Sequence, residues 1–367
     1  MLETSLAPYL LWAKTRHPAA IDLAGSNLLH CTLDDLPGAR DAVDLWAKND
    51  DGYLPLLEGL SDHYDVAPAH IVTANGCSGA NFVTIAALVG AGDDVLIERP
   101  SYDPLIGACL LMGAHVRRFE RRFKNRYQID LDELRGLMTS RTKLIVVTTP
   151  HNPSGARLDT AALDGLGRLA EQTGTFVLAD EVYLDVAAAV RDEHGPALSA
   201  ARFDGPFIVT NSLTKSYGLA GLRLGWAIAP APVAGRLRRT RDVIDNAGSA
   251  PADRLAALAV SQRATLVQRA KSILGANLAL ARQFLATQPR LEVAEQPGAS
   301  VVFPRIRDCA DAEPFIRALL DDHNVAVAPG RFFDSPAHFR ISLAGRKDAL
   351  EAGLEKIGAT LALRGGT

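Results

Sequence analysis

Between about residue 70 and residue 230 the chain alternates short apolar runs with longer stretches whose apolar residues recur at helical spacing. Seven short runs read as strands: 71–74, 94–98, 115–119, 143–149, 175–180, 207–210 and 224–229. Several are apolar on both faces, as strands must be when helices cover both sides of a sheet. In the stretch 159–174, Leu163, Leu166, Leu169 and Ala170 form one stripe, with Asp159 placed to cap its start and Gly174 its end. This alternation predicts an α/β fold with a mainly parallel seven-stranded sheet flanked by helices, and ligands beyond the strand carboxyl ends.

Outside that region the pattern changes. Residues 251–287 read as one or two long helices, followed by strands at 291–293, 299–303, 325–328 and 338–343 and helices near 311–322 and 347–362. That is a second, smaller α+β domain. A short strand at 21–23 and a turn at 24–27 precede the main alternation, and around Tyr53 the residues Gly52, Pro55 and Gly59 predict irregular backbone. The expected partition is an N-terminal arm with part of the small domain at 1–45, a large domain at 46–270 and the small domain at 271–367.

The totals fit this picture. At 367 residues and 39.2 kDa the chain exceeds what one core comfortably serves, so two domains are expected. A net charge of −3 argues against a strongly basic nucleic-acid surface. The one dense charge run, Arg117 to Arg126, interleaves Phe119 and Phe123 and reads as a solvated edge strand and turn. A basic patch for an anionic partner is the competing reading. Cys31, Cys77, Cys109 and Cys309 show neither a CxxC pair nor a histidine at ligand spacing, so no metal site or disulfide framework is expected. The N-terminus lacks a basic segment followed by a cleavage site, and no apolar run reaches about 18 residues. A cytoplasmic protein without membrane spans is expected.

Candidate chemistry sits at the strand ends. Lys215 lies in NSLTKSYGLAGLRLGW (211–226), between an apolar strand and a glycine-punctuated apolar run. Poor solvation there favours its neutral amine and makes it a candidate Schiff-base nucleophile. Ser212 and Arg223 flank it and could clamp a phosphate. The helix start NGCSGA (75–80) adds backbone N–H groups and the Ser78 hydroxyl, which suit a dianion. Asp180 ends an apolar strand, where a carboxylate is costly unless it meets a cation. Arg340, in the strand FRISLA (339–344), offers a planar fork for a carboxylate.

The SxxK plus GLRxG pattern, with TPHNPSG (149–155) and LADEVY (178–183), resembles the fold-type I aminotransferases that use pyridoxal 5'-phosphate. The resemblance runs from about residue 22 to 344 and implies a role for each candidate. Lys215 holds the cofactor as a Schiff base and later acts as general base. Cys77, through its amide, and Ser78, Ser212 and Arg223 hold the phosphate. Tyr102 stacks on the ring, Asn152 and Tyr183 share the ring oxygen, and Asp180 pairs with the pyridine nitrogen. Pro153 comes after a bond that such proteins often hold cis. Arg340 and Asn152 take the substrate carboxylate beneath a turn at Gly25 or Ser26. Tyr53 reaches the phosphate of a neighbouring subunit, which implies a homodimer.

The activity implied by the resemblance is transfer of an amino group from an amino acid to a 2-oxo acid in a ping-pong cycle. Three rivals share these parts. The HNP form of the asparagine motif also occurs in β C–S lyases of the cystathionine β-lyase kind. GLAGLRLG is similar to histidinol-phosphate aminotransferases, although Asn211 stands where those usually carry arginine and no NENP-like segment is present. A cofactor-binding regulatory domain without catalysis would come after a winged-helix domain, for which the residues before the first strand are too few.

Overall fold

The computed structural model describes residues 6–190, 198–294 and 299–363. All seven expected strands form: β1 (Ile71–Asn75), β2 (Asp94–Arg99), β3 (His115–Glu120), β4 (Thr142–Thr148), β5 (Phe176–Asp180), β6 (Phe207–Ser212) and β7 (Leu224–Ile228). They make one sheet in the order β1-β7-β6-β5-β4-β2-β3. Every pairing is parallel except those of β7, which runs antiparallel to β1 and β6. That reversal matters for the site. It brings the start of β7 to the same edge as the carboxyl ends of β1, β4, β5 and β6, with Asn75 opposite Leu224, Thr148 opposite Asp180 and Asp180 opposite Thr210.

Strands β4 to β6 are buried on both faces, and each fully buried Leu, Ile or Val there contributes about 1.5–3 kcal/mol of apolar burial. One face packs on a core that includes Leu163, Leu166 and Leu169 of helix α5 (Thr160–Thr173), as their helical spacing predicts. The Asp159 carboxylate accepts from the Ala162 N–H and Gly174 closes the helix at φ +64°, so both caps act as expected. The other face meets α3 (Gly76–Leu88).

A separate core gathers Leu23 and Leu28 with Leu274 and Leu278 of α8 (Arg263–Ala286), Phe315 and Leu319 of α9 (Glu313–His323), and Leu354 and Ile357 of α10 (Lys347–Leu363). Its sheet is antiparallel, with β8 (Phe339–Ser342) between Val301–Val302 and Ala328–Pro329. The short strand Ile21–Asp22 pairs with Val325–Ala326, which ties the early segment to this late core.

Two expectations need correction. Around Tyr53 the backbone is regular: α2 spans Leu54–Tyr64, starting immediately after that tyrosine. Pro55 falls in the first turn, where its missing N–H has no partner to lose. Gly59 faces α7 (Ala250–Ser261), where an added Cβ would stand 2.9 Å from Val260 Cγ1, so this glycine serves close helix packing and does not break the helix. The basic run does form an edge strand, β3, but it is not solvated throughout. Arg121 is fully buried 2.7 Å from Glu98, and Arg118 donates to the Glu98 carbonyl and meets Asp334 at 3.0 Å. Helix α1 (Pro8–Thr15) and helix α6 (Ala231–Ile244) were not expected from the pattern. Among the described residues no helix is long and apolar enough to cross a membrane.

Candidate active site

Beyond the carboxyl ends of the sheet lies a cavity of about 740 Å³. Its wall includes Gly25, Ser26, Cys77, Ser78, Tyr102, Asn152, Asp180, Tyr183, Ser212, Lys215 and Arg223, eleven of the residues singled out from the sequence. Arg340 lies directly behind it, donating to Asn152 Oδ1 at 2.8 Å. Tyr53 does not line the cavity of its own chain; it is half-buried at the start of α2.

The anion-binding end is built by close backbone approach. Gly76 opens α3 at φ +68°, and Gly225 of β7 lies so near that an added Cβ would stand 2.4 Å from the Gly76 carbonyl carbon. Arg223, in the left-handed region at φ +51°, brings its guanidinium over the same point: a Cβ on Gly76 would lie 2.5 Å from Nη2. The first N–H groups of a 13-residue helix, a guanidinium and the Ser78 and Ser212 hydroxyls therefore converge at one end of the cavity.

Asp180, at the end of β5, meets the same helix. It accepts from Asn81 Nδ2 at 2.8 Å, Val182 N at 3.1 Å and Cys77 Sγ at 3.4 Å, all neutral donors. Burial raises its pKa above the ordinary carboxylate value despite those bonds. The Cys77 thiol is itself pushed well up by burial and by Asp180, so it acts here as a proton donor and not as a thiolate.

Lys215 lines the same cavity. Its Nζ donates to Ser26 Oγ at 2.9 Å and to Asn27 Oδ1. Burial and the nearby Arg340 push its pKa down from 10.5 to about 7, although Asp180 acts in the other direction. Tyr183 donates to the same Ser26 oxygen at 2.9 Å, and burial pushes its hydroxyl up to about 12. Asn152 gives its oxygen to Arg340 and its backbone N–H to Thr148, which leaves its Nδ2 hydrogens without a protein partner among the described residues. The Asn152–Pro153 bond is cis. His151 is fully buried between Ser154 Oγ and the Pro100 carbonyl, and burial with Arg121 close by keeps it neutral, outside the cavity.

The family model for class I and II aminotransferases matches residues 51–357. The chain belongs to that family. This aminotransferase is 29% identical to capreomycidine synthase of Streptomyces vinaceus, over 97% of its own length and 93% of that protein. It is 28% identical to an arginine–pyruvate transaminase of Pseudomonas aeruginosa, over 78% and 73% of the two chains. A crystal structure of a pyridoxal phosphate-dependent aminotransferase from Streptococcus suis superposes with a TM-score of 0.87 at 27% identity, covering 99% of both chains. The fold is that of the fold-type I enzymes, and the protein is a pyridoxal phosphate-dependent transaminase.

The residues present fit that cofactor. A buried carboxylate with only neutral donors suits a pyridinium, the helix start with Arg223 suits a phosphate, and the Lys215 amine lines the same cavity. Two wall residues of this aminotransferase, Asn27 and Tyr9, and Asn81 behind Asp180 carry little or no mark in the sequence. Asn27 comes directly after the Gly25–Ser26 turn and holds the lysine. Asn81 lies one helical turn after Ser78, a spacing that could have marked it as facing the same way. Tyr9, in α1, donates to the Ala24 carbonyl at 2.9 Å, and nothing local signals it.

Proposed function

We propose that this aminotransferase moves the amino group of an L-amino acid to a 2-oxo acid in a ping-pong cycle centred on Lys215. The observation that carries the proposal is one cavity lined by a lysine amine depressed to about 7, a buried carboxylate and an asparagine backed by Arg340. When bound, pyridoxal phosphate supplies an aldehyde that condenses with amines and a cationic ring that draws electron density from the substrate Cα. Ser78, Ser212, Arg223 and the α3 N–H groups would hold its phosphate, Tyr102 its ring face, Asp180 its ring proton, and Asn152 Nδ2 with Tyr183 its ring oxygen.

This chain's residues do the rest. Arg340 and Asn152 orient the substrate by its carboxylate below the Gly25–Ser26 turn. Lys215 anchors the cofactor and, once a substrate amine has replaced it, takes the proton from Cα. A pKa near 7 leaves the amine substantially neutral at physiological pH, as a general base requires.

The active unit would be a homodimer. Leu45 and Val243 are 89% and 88% exposed, and Val43, Trp46 and Leu54 are exposed near them. An Arg239–Asp51 ion pair and an Asn49–Gly248 hydrogen bond bring the 43–54 segment alongside the end of α6. A second copy is the occupant this patch fits, since Tyr53 lies on the same segment and Arg223 of the cavity wall also lines a pocket with Gly248 and Asp253, to both of which Asn49 is bonded. Light scattering on the purified protein tests this, with a monomer as the result that counts against it.

A panel of amino donors including aspartate and arginine, tested against 2-oxoglutarate and pyruvate, tests the activity. Equal amounts of new amino acid and 2-oxo acid are expected. Pyruvate, ammonia and a thiol formed from cystathionine without an acceptor would instead make the protein a β-eliminating lyase. Borohydride reduction should fix the cofactor on the peptide containing Lys215.

A further inference from the structure

The guanidinium of Arg340 is held in a closed triangle that reaches back to the first helix. Its Nη2 donates to the Tyr9 hydroxyl at 2.7 Å and to the Ala24 carbonyl at 2.9 Å, and the Tyr9 hydroxyl itself donates to that carbonyl at 2.9 Å. Nη1 donates to Asn152 Oδ1, and the guanidinium carbon lies 5.2 Å and 5.0 Å from the ring centres of Tyr9 and Phe333. Arg340 is 1% exposed, yet its buried Nε has no hydrogen-bond partner among the described residues. A guanidinium has five donors, so this one is fixed in plane by protein acceptors with capacity left for an acceptor that the described residues do not provide.

Tyr9 is itself pinned. Its backbone N–H donates to Asp103 Oδ2 at 2.6 Å, and Asp103 opens α4 (Asp103–Leu111) immediately after the cavity residue Tyr102. The Tyr9 ring packs on Phe332 and Phe333 with centres 6.0 Å and 5.7 Å away. The residues directly after Ala24 are Gly25, Ser26 and Asn27, the last two of which hold the Lys215 amine. The hydroxyl of Tyr9 therefore joins the carboxylate fork to the turn that positions the lysine.

We propose that Tyr9 is a positioning residue for the substrate carboxylate, fixing the plane of the Arg340 guanidinium so that its remaining donors receive that group. This rests on reading Arg340 as the carboxylate fork. The hydroxyl both accepts and donates, which phenylalanine cannot do, while the ring packing survives the change. Tyr9→Phe therefore isolates the hydrogen bonds from the fold.

The test needs no knowledge of the natural substrate. Aminooxyacetate and O-methylhydroxylamine both displace the Lys215 amine from the bound cofactor through an aminooxy nitrogen, leaving the lysine free, and only the first carries a carboxylate. Capture rates are tracked by the visible absorbance of the holoenzyme. The native protein should capture aminooxyacetate faster, and Arg340→Lys should lose that preference. Tyr9→Phe should reduce the preference about tenfold, the effect of losing one hydrogen bond to a charged group, with the O-methylhydroxylamine rate and cofactor content unchanged. If Arg340→Lys keeps the preference, the fork is misassigned and the proposal falls with it. If Arg340→Lys loses the preference while Tyr9→Phe keeps or increases it, the fork stands and Tyr9 is not its positioner. Equal slowing of both reagents in Tyr9→Phe would show a general structural role and overturn the proposal as well.

Discussion

Lys215 and Asp180 face one cavity from the ends of adjacent strands, and burial drives both toward their neutral forms. Each partly restores the other's charge, since Asp180 raises the lysine pKa and Lys215 lowers that of the aspartate, but in both cases burial is the larger influence. A site arranged this way is poised for a ligand that brings its own positive nitrogen to the carboxylate and consumes the amine covalently.

In the cofactor-free protein Lys215 titrates at about 7 when folded and at its ordinary 10.5 when unfolded, so between those values the unfolded chain binds a proton that the folded chain does not. Stability should therefore rise with pH through that window. Lys215→Met should flatten this part of the profile and stabilise the apoprotein below pH 7. Urea midpoints measured across the range would show it, and an identical slope in both proteins would contradict it.

Asp180→Asn should separate stability from activity. The amide keeps the shape and removes a buried charge, but its NH2 replaces one of two oxygens that accept from Asn81 Nδ2 and from Val182 N and Cys77 Sγ, so the apoprotein should lose no more than about 1–3 kcal/mol. Amino transfer should fall by about a hundredfold to a thousandfold, the usual loss when a preorganised charge is taken from a reacting centre. Thermal midpoints and single-turnover rates on the same preparations would test both halves.

The contrast between these two residues and Tyr9 shows what the sequence could reveal. The sheet was legible because strands buried on both faces leave unbroken apolar runs, and Asp180 and Lys215 stand at the ends of such runs. Helix α2 was hidden because Pro55 and Gly59 suit a helix only where a first turn and a neighbouring helix accommodate them. Helix α6 was hidden for a different reason. It is rich in arginine and buries only Ala234, Leu237 and Arg241, a stripe too narrow to register as a period. Tyr9 meets Arg340 across 331 positions of chain, and no local pattern encodes such a contact.

Arg340→Lys should weaken substrate handling without unfolding the protein. Lysine keeps the charge and loses the planar fork that reaches Tyr9, Ala24 and Asn152 together. A loss of about 2 kcal/mol, roughly thirtyfold in kcat/KM, is expected. It should appear mainly in KM for both the amino acid and the 2-oxo acid, and a fall confined to kcat would argue against carboxylate binding at this residue.

Two neighbouring arginines in the basic run should respond differently to the same substitution. Arg121 is fully buried against Glu98 and also donates to the Tyr127 and Thr148 carbonyls, whereas Arg122 meets Glu133 at the surface. Glu98 in turn accepts from the Thr148 hydroxyl, and that hydroxyl accepts from the Asn152 backbone N–H, so the buried pair reaches the turn that carries a site residue. Arg121→Met leaves a carboxylate buried without its cation and should cost about 3–5 kcal/mol. Amino transfer should fall as well, because the Thr148 and Asn152 contacts loosen with the pair. Arg122→Met should leave both the denaturation midpoint and the rate unchanged. Adding Glu98→Gln to Arg121→Met removes the stranded charge and should recover part of the stability; a double variant as unstable as the single one would mean that packing, and not the ion pair, holds this corner together.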